Sequence, residues 1–129
     1  VLFFATVHRR ILHMPSKYAS LDEYYATLDA AQLHTMREII DFIIAEFPAL
    51  SVKVAWNKPH IHLDGSYVVG FAAAKKHLMF HPWSVPVFES FLPRLTGYVT
   101  GKRTFQIPLG WQMDKTLIRD IVVAQLAEI

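Results

Sequence analysis

The stretch His60-Ile61-His62-Leu63-Asp64-Gly65-Ser66-Tyr67-Val68-Val69-Gly70-Phe71-Ala72-Ala73-Ala74 decides the fold. His60 to Leu63 alternates polar and apolar residues, the period of a half-buried strand. Tyr67 to Ala74 is mostly apolar, as a strand covered on both faces would be. Asp64-Gly65 between them is a two-residue hairpin signal, because both residues tolerate the positive φ of a tight turn. Upstream, Val52, Val54 and Trp56 alternate with Ser51, Lys53 and Ala55 in an earlier strand, which ends at a corner, Asn57-Lys58-Pro59. Downstream, Lys75-Lys76 turns the chain, His77 to His81 is another strand and Pro82 stops it. A last strand is expected from Thr104 to Pro108, with Phe105 and Ile107 on one face.

Helical signals flank this block. Ser20-Leu21-Asp22-Glu23 has the form of a capping box for a short helix over Leu21 to Leu28. Asp29-Ala30-Ala31-Gln32 repeats that form ahead of Leu33, Met36, Ile39, Ile40, Ile43, Ile44 and Phe47, a stripe at helical spacing that Pro48 closes. Val85 to Leu95 reads as a helix with Pro86 in its first turn and Pro93 weakening its last. Gly97 ends it, and Tyr98 to Thr100 is a short extended piece. Asp114 caps a final helix carrying Leu117, Ile118, Ile121, Val122 and Leu126. Tight hairpins in the middle and helices at both ends predict a two-layer α+β domain. Its antiparallel sheet has about five strands with helices packed on it.

The chain's 129 residues suit one domain, and 53% hydrophobic with 19% charged residues is enough apolar material for a core. Absence of cysteine excludes disulfides, thiolate metal sites and a cysteine nucleophile, and suits a reducing cytoplasm. The formal charge of +2 argues against a nucleic-acid partner, since Arg9 and Arg10 alone supply it. Both lie in Val1 to His13, which reads as an N-terminal extension or over-extended start. We expect translation to begin at Met14 and residues 14–129 to form the domain. The extension is too short and interrupted to span a membrane. An exposed sheet edge or this apolar extension offers a route to a homodimer.

Seven histidines raise a metal question. His60 and His62 share a strand face, as do His77 and His81. In a meander the Tyr67–Ala74 strand would hold the two groups about 9.6 Å apart, too far for one ion to bridge. The expectation is therefore a site on one pair, or histidines bonded to the sheet. On the long helix His34, Glu38 and Asp41 fall at i, i+4 and i+7 of the polar face. They offer one nitrogen and two hard oxygen donors suited to labile ferrous iron. The same residues also read as a solvated face beside Arg37.

Catalytic signatures are missing. Gly101-Lys102-Arg103-Thr104 lacks the upstream glycine of a P-loop, and Gly65-Ser66 is no nucleophile elbow. A binding protein is expected rather than an enzyme.

Several segments in order carry a resemblance: Trp56-Asn57-Lys58-Pro59, Phe71-Ala72-Ala73, Lys75-Lys76-His77, Phe80-His81-Pro82, and the run Gly97, Tyr98, Thr100, Lys102, Thr104, Pro108. Over Ser20 to Leu126 the chain resembles the YdhG-like proteins of the DUF1801 family, some of which are described as frataxin-like iron chaperones. The resemblance implies an α+β fold, a cytoplasmic setting, ferrous iron as cargo and iron–sulfur assembly proteins as partners. The segments it marks also bring forward a basic-aromatic pocket of Trp56, Lys58, His77, Tyr98, Lys102 and Thr104. Its lysines would hold a small anionic ligand and its rings would wall it, as the site of a binding domain or of an uncharacterised enzyme.

Overall fold

The computed structural model describes residues 18–129. The expectations for Val1 to His13 and for a start at Met14 lie outside these residues. Within them the chain runs α1 (Leu21–Tyr25), α2 (Ala30–Glu46), β1 (Ser51–Ala55), β2 (Lys58–Leu63), β3 (Ser66–Ala73), β4 (His77–Pro82), α3 (Val85–Ser90), a 3₁₀ turn (Leu92–Arg94), β5 (Phe105–Pro108) and α4 (Lys115–Leu126). The strands form one antiparallel meander in the order β1-β2-β3-β4-β5. This is the expected α+β arrangement.

Side-chain oxygens start the helices as the sequence signals require. Asp29 Oδ1 accepts from the Gln32 amide at 2.8 Å, and Gln32 Oε1 accepts from the Asp29 amide at 2.9 Å. Gln32 Nε2 also donates to the Ala74 carbonyl at 2.8 Å, tying the start of α2 to the end of β3. Asp114 Oδ1 accepts from the Leu117 amide at 3.0 Å. Such caps contribute about 0.5–2 kcal/mol each.

One side of the sheet is the core. Ile61, Val69, Phe71, Leu78, Phe80, Phe105 and Ile107 pack against Met36, Ile39, Ile40 and Ile43 of α2 and Leu117, Ile118, Ile121 and Val122 of α4. Burying each such side chain favours folding by about 1.5–3 kcal/mol before conformational entropy is counted.

Several boundaries differ from the sequence reading: β2 starts at Lys58, inside the expected corner, and Tyr98 to Thr100 forms only an isolated bridge at Thr100. α1 stops at Tyr25, with Thr27 and Leu28 continuing only as turns. The Val85 to Leu95 helix splits into α3 and the 3₁₀ turn, because Pro93 has no amide to donate. β1 ends at Ala55, one residue short of Trp56, and this difference builds the site described next.

Candidate functional site

Ala55 pairs with Lys58, so Trp56 and Asn57 are a two-residue loop. Their φ angles are +50° and +60°, the left-handed pair that a type I′ hairpin requires. Alternation would have put Trp56 beside Val52 and Val54 on the core side. The left-handed turn instead swings the indole onto the opposite, open side. That conformation costs a non-glycine residue about 1–2 kcal/mol. The indole remains 65% exposed.

A bulge brings more rings to this face. Ile61 pairs with Val69 but His62 pairs with Tyr67, leaving Val68 as the extra residue. Tyr67 thereby shares the face of His60 and His62. The Val68 carbonyl accepts from the Trp83 amide at 3.0 Å, holding Trp83 beside it. The centroids of Tyr67 and Trp83 are 4.7 Å apart, and Trp56 lies 5.4 Å from Tyr67 and 5.9 Å from Trp83, nearly parallel to the latter at 19°. Lys53 Nζ sits 5.0 Å from the Tyr67 centroid.

His60, Gly70 and His81 form one row across β2, β3 and β4. The His60 ring lies over Gly70, where a Cβ would stand 3.0 Å from Cδ2 and 3.1 Å from Nε2. His60 Nδ1 is 2.8 Å from the Lys58 carbonyl. A carbonyl only accepts, so Nδ1 carries the proton and the Nε2 of the neutral ring is left as an acceptor. His81 Nε2 is buried without a hydrogen-bond partner. Burial pushes both imidazoles below their usual range. For His81 the charges of His60, Arg103 and Lys58 add to the effect. The two histidines, Lys58, Gly70, Met79 and Thr104 line one cavity of about 210 Å³.

A wider cleft of about 620 Å³ lies beside β5, lined by His77, Tyr98, Val99, Gln106, Pro108 and Trp111. Burial raises the Tyr98 phenol, against a hydrogen bond with the Trp111 side chain.

The six residues of the expected basic-aromatic pocket do not share one cavity. Lys58 and Thr104 face the small cavity, while His77 and Tyr98 face the wide cleft. Trp56 occupies the hairpin, and Lys102 is exposed and lines neither space. On α2, His34 Nε2 is 3.7 Å from Glu38 Oε1, and Asp41 is 4.0 Å from Arg37 Nε. Among the described residues no three His, Cys, Asp or Glu side chains cluster as a metal set. Nor, among them, is any helix long and apolar enough to cross a membrane.

As expected of a meander, β3 separates the two histidine pairs, and the residue between His60 and His81 is Gly70, whose missing side chain leaves room for the His60 ring to lie over the strand. The partner histidines go elsewhere: His62 Nδ1 accepts from the Gly65 amide at 3.1 Å, and His77 joins the wide cleft. The signal was a lone glycine inside an apolar strand, which marks a close approach.

No protein-family model matches the chain. A crystal structure of a DUF1801 protein, YdhG of Bacillus subtilis, superposes with a TM-score of 0.78 at 23% identity, covering 84% of this chain and 90% of that one. The chain is YdhG-like in fold. A conserved, uncharacterized Lactobacillus casei protein gives a TM-score of 0.58 at 25% identity over 84% of this chain and 91% of its own. In sequence, a Bacillus subtilis (strain 168) protein named intracellular iron chaperone frataxin is 27% identical over 103 residues, 78% of this chain and 83% of that protein. The YdhG-like sheet thus carries, on its open side, a histidine-lined cavity flanked by an aromatic surface.

Proposed function

We propose that this protein is a non-enzymatic binding domain for a small anion, held in the cavity between His60 and His81. The observation that carries this reading is the buried, unpartnered Nε2 of His81, which lines the same space as His60 and Lys58. An unsatisfied buried nitrogen is costly and a ligand would satisfy it. Lys58 supplies fixed charge, with Arg103 near enough to act on His81. Because burial keeps the imidazoles neutral, an entering anion takes up a proton with it: His81 Nε2 becomes a donor and the imidazolium offsets the ligand charge.

Sulfate tests this reading, since it does not itself titrate near neutrality. Calorimetry should show saturable binding that tightens from pH 7.5 to pH 5.5 and weakens about tenfold or more in His81→Gln, the loss of one charged hydrogen bond. Sulfate that fails to bind, or binds equally to His81→Gln and Lys58→Ala, would refute the assignment.

A second reading is favoured by the name of the Bacillus relative. On this reading the protein carries ferrous iron to iron–sulfur assembly proteins in the cytoplasm, with His34, Glu38 and Asp41 on the exposed face of α2 as its ligands. Anaerobic ferrous titration of the Glu38→Ala, Asp41→Ala double variant should then show weakened binding. Unchanged affinity removes this helix face from consideration.

A further inference from the structure

We infer that the ligand of the His60–His81 cavity is an aromatic acid, its ring stacked on the Trp56–Trp83 shelf and its acid group inside the cavity. This rests on the anion reading above and names the class of ligand.

The cavity, at about 210 Å³, is smaller than the 300–1,000 Å³ or so of ordinary small-molecule sites. It holds an acid group and little more, so the rest of the ligand must lie outside. Aromatic rings adjoin the two histidines that line the cavity. Trp56 and Trp83 stack nearly parallel to each other beside them. Trp56 is 5.4 Å and Trp83 5.7 Å from the His60 ring, and Trp83 is 5.4 Å from the His81 ring.

The shelf is not a cage for a cation. Its rings pack against one another with centroids 4.7–5.9 Å apart and leave no opening between them, and Lys53 already covers Tyr67. What is available is the outward surface of Trp56, 65% exposed. Its backbone is held in a left-handed conformation that asparagine or glycine would adopt with less strain. Contacts with the His60, Tyr67 and Trp83 rings hold the indole there, yet most of it still faces water. A strained, exposed tryptophan beside a cavity lined by lysine and histidine is the arrangement expected of a ligand platform. A planar ring fits it because stacking needs only a π face, and the attached acid fits the cavity because Lys58 and the imidazoles lie at the shelf's edge.

Two sources supply this chemistry, an aromatic carboxylate and a nucleoside monophosphate. The experiment titrates the full chain at pH 6 with sulfate, benzoate, cyclohexanecarboxylate, AMP and ribose 5-phosphate, following tryptophan fluorescence and calorimetry. Benzoate should bind about tenfold or more tighter than cyclohexanecarboxylate, or AMP than ribose 5-phosphate, as stacking on one ring predicts. The preferred pair identifies the source. Trp56→Leu should level the preference and leave sulfate affinity intact. If sulfate binds but neither ring-bearing ligand gains over its partner, the aromatic inference fails and the anion reading stands. If no ligand binds, both fail. Because the wild-type comparison between matched ligands stands alone, the outcome does not depend on how Trp56→Leu folds.

Discussion

His60 rests its imidazole on the bare Cα of Gly70, with Nε2 only 3.1 Å from where a Cβ would begin. The two residues are register partners on β2 and β3, and the ring is fixed from its other nitrogen by the Lys58 carbonyl. This contact lets one histidine reach across a strand toward the cavity it shares with His81.

Gly70→Ala should therefore act on the site through His60. The new methyl pushes a ring that its 2.8 Å bond resists. Overpacking costs about 1–3 kcal/mol, against about 0.5–1 kcal/mol recovered by replacing a strand glycine. The expected net loss is about 1 kcal/mol by denaturant unfolding. The His60 NMR titration should move toward its ordinary range as the ring lifts into water. A stable variant with an unmoved His60 would mean that the contact imposes nothing.

Acid should destabilise the fold through the same pair. Both imidazoles titrate below their usual 6.5, mainly through burial, so the native state favours the neutral form. That stability is complete above about pH 6.5 and is lost as pH falls through the lowered native values. Unfolding free energies at pH 7.5, 6 and 5 should show the decline. Saturating sulfate should lessen it, because a bound anion restores the charged form. Identical pH profiles with and without sulfate would contradict the coupling.

Tyr25 makes an alkaline counterpart. Its hydroxyl is buried without a partner, and burial first, then the Asp41 charge, pushes it up to about 12 from 10.0. The native state holds this proton more tightly than the unfolded chain. The associated stability is present below pH 10 and is lost as pH rises toward about 12. Tyr25→Phe removes an unsatisfied group, so at pH 7 it should be neutral or stabilising by up to about 1 kcal/mol. It should also flatten the alkaline loss. A variant less stable by more than that would show that the hydroxyl has a use in the fold.

Thr35 ties the long helix to the loop after β5. Its Oγ1 donates to the Ala31 carbonyl at 2.9 Å and accepts from the Gly110 amide at 3.0 Å, in a residue only 2% exposed. Thr35→Val keeps the shape and strands the Gly110 amide, at a cost of about 1–3 kcal/mol. Thr35→Ser should recover most of it. A Thr35→Val variant as stable as the wild type, with Thr35→Ser less stable, would assign the role to the methyl group instead.

The elements were legible from local chemistry. Alternation at Val52 and Val54, the Asp64-Gly65 turn and the Asp29–Gln32 box each depend on neighbours within a few residues, so each could be read in isolation. The Trp56 turn is not legible there, for the same reason. Its alternation with Val52 and Val54 was visible, whereas the left-handed pair at Trp56-Asn57 contradicts the intrinsic preference of tryptophan and is sustained by ring contacts from β2, β3 and the residue after β4. The residues of the expected pocket belong to segments far apart in sequence, and the fold distributes them over two spaces and an exposed loop.

By itself the sequence determined the strand periods, the helix caps, the antiparallel hairpins and the two-layer packing, because hydrophobic period and turn chemistry are encoded within short windows. Only the tertiary structure decided that His60 and His81 line one cavity on either side of Gly70 and that Val68 bulges to bring Tyr67 to their face. It also decided that Trp56 leaves the core side for the open one. Those outcomes depend on register and on close contact between distant segments, and a one-residue shift in pairing moves a side chain to the other side of a sheet.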